Sequence, residues 1–226
     1  MRTPSWRRPP LVDVAQIENE PIEDVEFPDD SHATSTGISN EKLAMWVYLA
    51  SDALLFGGLI STYLIYKNRP GEIPGLSGSP VRVSELFDIP FTSMTSFILL
   101  MSSLTLVLSV SAARRKDERN TRLWLTVTAL LGGLFLAGQV YEFTVFYREG
   151  LGYTTSLFSS SFYTLTGFHG VHVAVGIIML LSLVGMLAKG RIVGDKAETV
   201  EMVGLYWHFV DVVWIVIFTL VYLIPA

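Results

Sequence analysis

The chain has 226 residues, 50% of them apolar and 16% charged, with a formal net charge of −5 at neutral pH. It contains no cysteine, which excludes disulfides, thiolate metal sites and cysteine nucleophiles together. The apolar residues are gathered into blocks instead of being spread through a core, so the expected solvent of most of the chain is a bilayer.

The first block-free stretch is an N-terminal arm, residues 1–41. Residues 11–40 carry eight carboxylates (Asp13, Glu18, Glu20, Glu23, Asp24, Glu26, Asp29, Asp30), no Lys or Arg, and prolines at 21 and 28. Such a segment buries too little apolar surface to offset its ordering entropy, so a disordered or partner-bound arm is expected, with His32 solvated in it. No apolar run follows Arg2, Arg7 and Arg8, so the arm does not read as a signal peptide. The remainder, 42–226, is expected to be a transmembrane domain.

A hydrocarbon core about 30 Å thick needs roughly 20 apolar residues at about 1.5 Å rise each. Five runs meet that length: 43–66, 91–113, 123–146, 160–188 and 203–224. Lipid offers no partner for an open backbone N–H or C=O, and continuous apolar runs do not show the alternation of a barrel strand. The fold class expected is all-α, an integral membrane bundle of five helices. The loops between runs are short except for Lys67 to Pro90, whose Pro70, Pro74, Pro80 and several glycines predict an irregular surface excursion. Neither a second soluble domain nor an internal repeat is visible.

Lys and Arg are unevenly shared between the two sides. The arm through Lys42 has four, 114–122 has five and 189–201 has three, against Lys67, Arg69, Arg82 and Arg148 opposite. By the positive-inside rule the N-terminus is expected in the cytoplasm, and five spans then put the C-terminus outside. Tyr63, Tyr66, Trp124, Tyr147 and Tyr222 fall near span ends, where amphipathic rings sit at headgroup level.

Ionisable groups at bilayer depth cost about 2.5–3.5 kcal/mol on insertion scales, so each needs a partner and is a functional candidate. The first span holds Asp52, the third Gln139 and Glu142, the fourth His169 and His172, the fifth His208 and Asp211. Three of these are i, i+3 pairs, each placed on one helix face. They could form a proton relay or hold a metal. They could equally bond one another as glue between helices, with lipid or water completing the set. A haem or copper centre needs several His, or Cys, and only three His lie in the spans, so neither metal ligands nor catalytic residues are expected in this chain. Counting rise per residue, Asp52 lies about 14 Å from Leu43 and His172 about 24 Å from Ala188. The two can pair if the fourth helix projects beyond the headgroups. Glycines at 57 and 58, 132 and 133, 167, 170 and 176 are expected to serve close helix packing.

Four strings then carry a resemblance. SSFYTLTGFHGVHVAVG (Ser160 to Gly176) and YWHFVDVVW (Tyr206 to Trp214) resemble subunit III of haem-copper terminal oxidases, the cytochrome c and quinol oxidase subunit III family. SDALLFGGLISTY (Ser51 to Tyr63) looks like that family's Ser-Glu helix with Asp52 in place of Glu, one methylene shorter. GQVYEF (Gly138 to Phe143) resembles its Gln- and Glu-bearing helix. The strings run in order through nearly all of the membrane part. The long form of the family has seven helices, and this chain resembles the five-helix form, in which extra helices of subunit I fill the vacant place.

The resemblance implies a subunit without a redox centre that flanks subunit I, binds phospholipid in a cleft and supports sustained proton-coupled oxygen reduction. Haem and copper would reside in subunits I and II. A larger respiratory supercomplex is a further level of partner, nucleic acid is none, and the location implied is a bacterial cytoplasmic membrane crossed several times. Two other readings stay open: an accessory protein of nitric oxide reductase with the same fold, and a small proton transporter or channel using Asp52, Glu142 and His172. A membrane-embedded hydrolase lacks a nucleophile with a base at recognisable spacing.

Overall fold

The computed structural model describes residues 40–67, 73–74, 80–81, 87–190 and 196–224. The acidic arm lies outside the described residues up to position 39; its last two residues open the first helix. Five helices follow: α1 (Asn40–Lys67), α2 (Ile89–Arg114), α3 (Glu118–Arg148), α4 (Leu157–Ala188) and α5 (Lys196–Phe218). A π-helical turn, Thr219–Leu223, extends α5. Five helices are long and apolar enough to cross a membrane, the last taken through that turn as Ala197–Leu223. In the excursion between α1 and α2, two-residue strands β1 (Ile73–Pro74) and β2 (Pro80–Val81) pair antiparallel; most of that stretch lies outside the described residues. Lys67, read above as the first residue of the loop, is instead the last residue of α1.

Helix ends are set by local chemistry. Asp88 caps α2 by accepting from Phe91 N (3.1 Å), with Pro90 in the first turn where its missing N–H removes nothing. Asp117 caps α3 through Asn120 N (3.1 Å), and its other oxygen accepts from Asn120 Nδ2 (2.6 Å). These two hydrogen bonds lower the Asp117 pKa below its usual value. Ser156 and Ser159 form a reciprocal capping box on α4. Only three residues join α2 to α3, and Lys116 takes a left-handed conformation (φ 59°) to turn the chain.

α2, α3, α4 and α5 form a closed ring in which α2 packs on α3 and α5, and α4 on α3 and α5. The ring closes tightly because small residues face large ones. A Cβ on Gly176 would stand 2.7 Å from Trp207 Cε3, and one on Gly132 2.8 Å from Trp207 Cζ2. The indole of α5 therefore lies in a slot cut by glycines of α3 and α4. Its Nε1 donates to Ser102 Oγ of α2 (2.9 Å), and one turn-pair further along Trp214 Nε1 donates to Ser96 Oγ (2.8 Å). Two tryptophans thus key α5 into three other helices.

α1 is different. Its backbone packs less closely on the other helices than theirs do on one another, and it meets the ring through side chains, Leu49, Asp52, Phe56, Tyr63 and Lys67 being buried. Lys42 Nζ reaches Glu201 Oε2 at 3.1 Å at the start of α1 and α5. Lys67 Nζ donates to Leu220 O (2.7 Å) and Ile224 O (2.6 Å) at their far ends. The two helices are therefore parallel and clamped at both ends by charged groups. Lys67 is buried, and its ammonium satisfies carbonyls that a helix terminus leaves without a partner.

The glycine expectation divides. Gly132, Gly170 and Gly176 stand where a side chain would collide, whereas Gly57, Gly58, Gly133 and Gly167 have none of the described residues within 4 Å of an added Cβ. Packing inside the bundle accounts for the first three only, because the other four point out of it.

Candidate functional site

The polar residues of the spans sit in three interfaces. The first lies between α1 and α4. Asp52 Oδ2 is 3.6 Å from His172 Nε2, with both side chains nearly buried, so the depth gap counted from the helix ends does close. His172 Nδ1 is 2.7 Å from Phe168 O, one turn back on its own helix. A carbonyl only accepts, so Nδ1 donates there, and Nε2 is the nitrogen left facing the carboxyl. Asp52 and His172 therefore face each other across the α1–α4 interface, just beyond direct hydrogen-bond reach. Phe56 closes the pair from one side, with its ring edge-on to His172 at 5.0 Å. Tyr206 of α5 donates its hydroxyl to His172 O (3.0 Å) and stacks on Tyr48 of α1 at 6.2 Å.

His169 is on the same helix three residues earlier, and it is fully buried. Its ring stacks on Trp214 at 4.8 Å and meets Phe135 edge-on at 5.9 Å. Neither ring nitrogen has a hydrogen-bond partner among the described residues. Sharing a face by i, i+3 spacing thus leaves the two histidines in unlike surroundings, one aromatic and one ionic.

The second interface is α3 against its two neighbours. Gln139 Nε2 donates to Thr166 O of α4 (2.7 Å), and its amide lies where Gly170 has no Cβ. Glu142 pairs with the Thr92 hydroxyl of α2, which also stands 3.0 Å from Asp88 O. One hydroxyl has one proton, so Thr92 donates to one of these and accepts from or abuts the other. Glu142 is within about two turns of the end of α3 and belongs to a different interface from Asp52 and His172. A path through all three, as the transporter reading needs, has no continuous hydrogen-bonded chain among the described residues.

The third interface is α5 on α2. Ser103 Oγ donates to Asp211 Oδ2 (2.6 Å) and stands 3.2 Å from His208 Nδ1. With its own proton on Asp211, the serine accepts from the imidazole. His208 and Asp211 are bridged by α2 and do not bond each other directly. Among the described residues no three His, Asp or Glu side chains gather as a metal ion would need.

The residues that sequence reasoning overlooked are the hydroxyls of α2. Thr92, Ser96, Ser102 and Ser103 bond Glu142, Trp214, Trp207 and Asp211 in turn. Thr92, Thr95, Ser96, Leu99, Ser102, Leu106 and Ser109 form the buried stripe of α2, and their i, i+3, i+4, i+7 spacing was the available signal.

A family model described as cytochrome c oxidase subunit III matches residues 25–225. The chain is similar to a cytochrome c oxidase subunit 3 from Bacillus sp. (strain PS3), 40% identical over 86% of this chain and 90% of that protein. It is similar to a probable quinol oxidase subunit 3 from Staphylococcus saprophyticus, 38% identical over 81% of this chain and 88% of the relative. A cytochrome bo(3) ubiquinol oxidase subunit 3 from Pseudomonas aeruginosa is 34% identical over 88% of this chain and 91% of its own length.

Proposed function

The chain belongs to the cytochrome c oxidase subunit III family, as subunit III of a haem-copper cytochrome c or quinol oxidase, and from that premise we propose that it is a non-redox subunit that supports assembly, binds phospholipid and sustains proton-coupled electron transfer to oxygen. Its partners in this reading are subunits I and II, which carry the haem and copper, in a bacterial cytoplasmic membrane with the lysine- and arginine-rich ends of the helices inside.

One observation supports the non-catalytic role above others: most of the buried polar groups of the spans meet a polar group of a neighbouring helix. Asp52 with His172 fastens α1 to α4, Gln139 and Glu142 fasten α3 to its neighbours, and Ser103 fastens α5 to α2. Such contacts fix the geometry between helices. Asp52 Oδ2, Gln139 Oε1, Asp211 Oδ1 and both His169 nitrogens are buried without a hydrogen-bond partner among the described residues. Lipid or a neighbouring subunit is the natural source of further contacts. The open faces at Gly57 and Gly58 suit such a neighbour.

The test is purification of the complex in mild detergent from cells with and without this chain. The expected result is haem bands travelling with the chain, an unchanged haem spectrum in its absence, and a near-normal initial rate that decays faster over repeated turnover. Stoichiometric haem or copper on the isolated chain, or an immediate loss of rate with no faster decay, would overturn the reading.

A further inference from the structure

Where α1 and α5 begin and α2 ends, the three helices part around a groove of about 530 Å³, room for several waters at about 30 Å³ each. Its walls are apolar: Trp46 of α1, Val107 and Val110 of α2, Leu205 of α5. Its mouth is ionic and balanced. Lys42 of α1 stands 3.1 Å from Glu201 Oε2 and 3.9 Å from Glu198 Oε1, while Arg114 of α2 places Nη2 2.7 Å from Glu201 Oε1. Cations and carboxylates meet there in equal number, so the mouth draws in water and selects no ion. His208 borders the groove further in, a depth of about 10 Å beyond Glu201 at 1.5 Å per residue. Its Nδ1 is taken by Ser103 Oγ of α2 at 3.2 Å, so Nε2 is the nitrogen left for the groove. Ser103 donates in turn to Asp211 Oδ2 (2.6 Å), close to one helical turn deeper on α5. Asp211 is buried, and its Oδ1 has no hydrogen-bond partner among the described residues.

An apolar occupant would leave the imidazole nitrogen unpaired at bilayer depth, a cost that water entering past the ion pairs removes. We propose that the groove is a proton inlet, in which Asp211 takes up a proton from the side where α1 and α5 begin, by way of water, His208 and Ser103. The proton balance closes. Ser103 gives its proton to the Asp211 carboxylate and accepts from Nδ1–H, which leaves the lone pair of a neutral imidazole on Nε2. A hydronium ion in the groove gives a proton to Nε2, the Nδ1 proton passes to Ser103 Oγ, and the serine's own proton passes to Asp211 Oδ2. One proton enters and one arrives, so the ring ends neutral with its proton on Nε2 and Asp211 ends as the acid. The charged groups bordering this line are Lys42 from α1, Arg114 from α2, and Glu198 and Glu201 from α5 itself. From α4, His169 meets α5 at Trp214 instead, and from α3, Glu142 is turned to Thr92. The inference rests on the oxidase-subunit reading above and deepens its proton coupling by naming the residues and the side of entry.

The experiment uses the intact oxidase complex in lipid nanodiscs. The pH is stepped from about 9 to about 5, the range in which buried imidazoles and carboxyls titrate, and the infrared carbonyl stretch of protonated carboxyls is followed in time. Asp211 is identified as the part of the band that Asp211→Asn removes. That part is expected to rise on acidification of the unaltered complex. In His208→Phe and in Ser103→Ala it should rise at least about tenfold more slowly, since a positioned proton carrier typically contributes about 10²–10⁴-fold. An Asp211 band absent over the whole range, or one that rises as fast in either variant as in the unaltered complex, overturns the inlet and leaves the three residues as a packing contact. Haem bands travelling with the chain are scored in the same preparations, so a failure of the subunit reading is told apart from a failure of the inlet alone.

Discussion

Gly132 and Gly133 are neighbours on α3 with opposite surroundings, and Ala at each makes a matched pair. A Cβ at 132 would enter the Trp207 ring, 2.8 Å from Cζ2. The indole yields only at a cost, because Gly176 closes its other side and Ser102 holds its Nε1. Overpacking of this kind costs about 1–3 kcal/mol, and displacement of the ring gives up a hydrogen bond of about 1 kcal/mol. The gain in helix propensity from Gly to Ala returns about 1 kcal/mol, leaving Gly132→Ala destabilised by about 2 kcal/mol. At 133 nothing of the chain lies within 4 Å of the new Cβ, so only the favourable propensity difference remains. Thermal unfolding of the purified chain in detergent should separate the two by about 6–12 °C, using roughly 2–4 °C per kcal/mol at this size. Adding Trp207→Phe to Gly132→Ala should recover part of the loss, since the smaller ring vacates the collision. Equal midpoints for the two single variants would refute the slot between α3 and α4 as the element that seats α5.

Asp52→Ala should leave His172 Nε2 without its partner at a cost of about 1–3 kcal/mol, and shorten turnover endurance more than it lowers the initial rate, whereas Asp52→Asn retains a group facing the ring and should be milder. An immediate fall in initial rate for both would favour a proton relay instead. Lys67→Met removes two charge-assisted bonds to the end of α5, each worth about 1.5–3 kcal/mol, so amide exchange in Thr219–Leu223 should rise at least tenfold while exchange in the middle of α3 stays the same; unchanged exchange would show that the clamp is idle. Asp117 has a lowered pKa in the folded chain, so its contribution is present at neutral pH and is lost as pH falls through that lowered value. Proteolysis at the α2–α3 turn should therefore increase only on acidification below the usual carboxylate range, and Asp117→Asn should abolish that dependence.

The five spans were legible in the amino-acid sequence because length and hydropathy are local properties, set by how many apolar residues a bilayer requires. The strings around His169 and His172, and around His208 and Asp211, also carried the family, which the comparisons bear out. The spacing of polar residues told which of them share a helix face. What each face meets was decided only by the tertiary structure, since that depends on helix rotation and crossing, to which residues far apart in the chain contribute. So His169 lies against Trp214 and Phe135 while His172 faces Asp52, although both belong to one face. Lys67 was counted with a surface loop because a basic residue at the end of an apolar run has no local sign of its partner, and its partners are carbonyls more than 150 residues away. The glycines behave in the same way. Adjacent positions in the sequence, Gly132 and Gly133 differ by a rotation of about 100° around α3, and that rotation alone places one against Trp207 and turns the other out of the bundle.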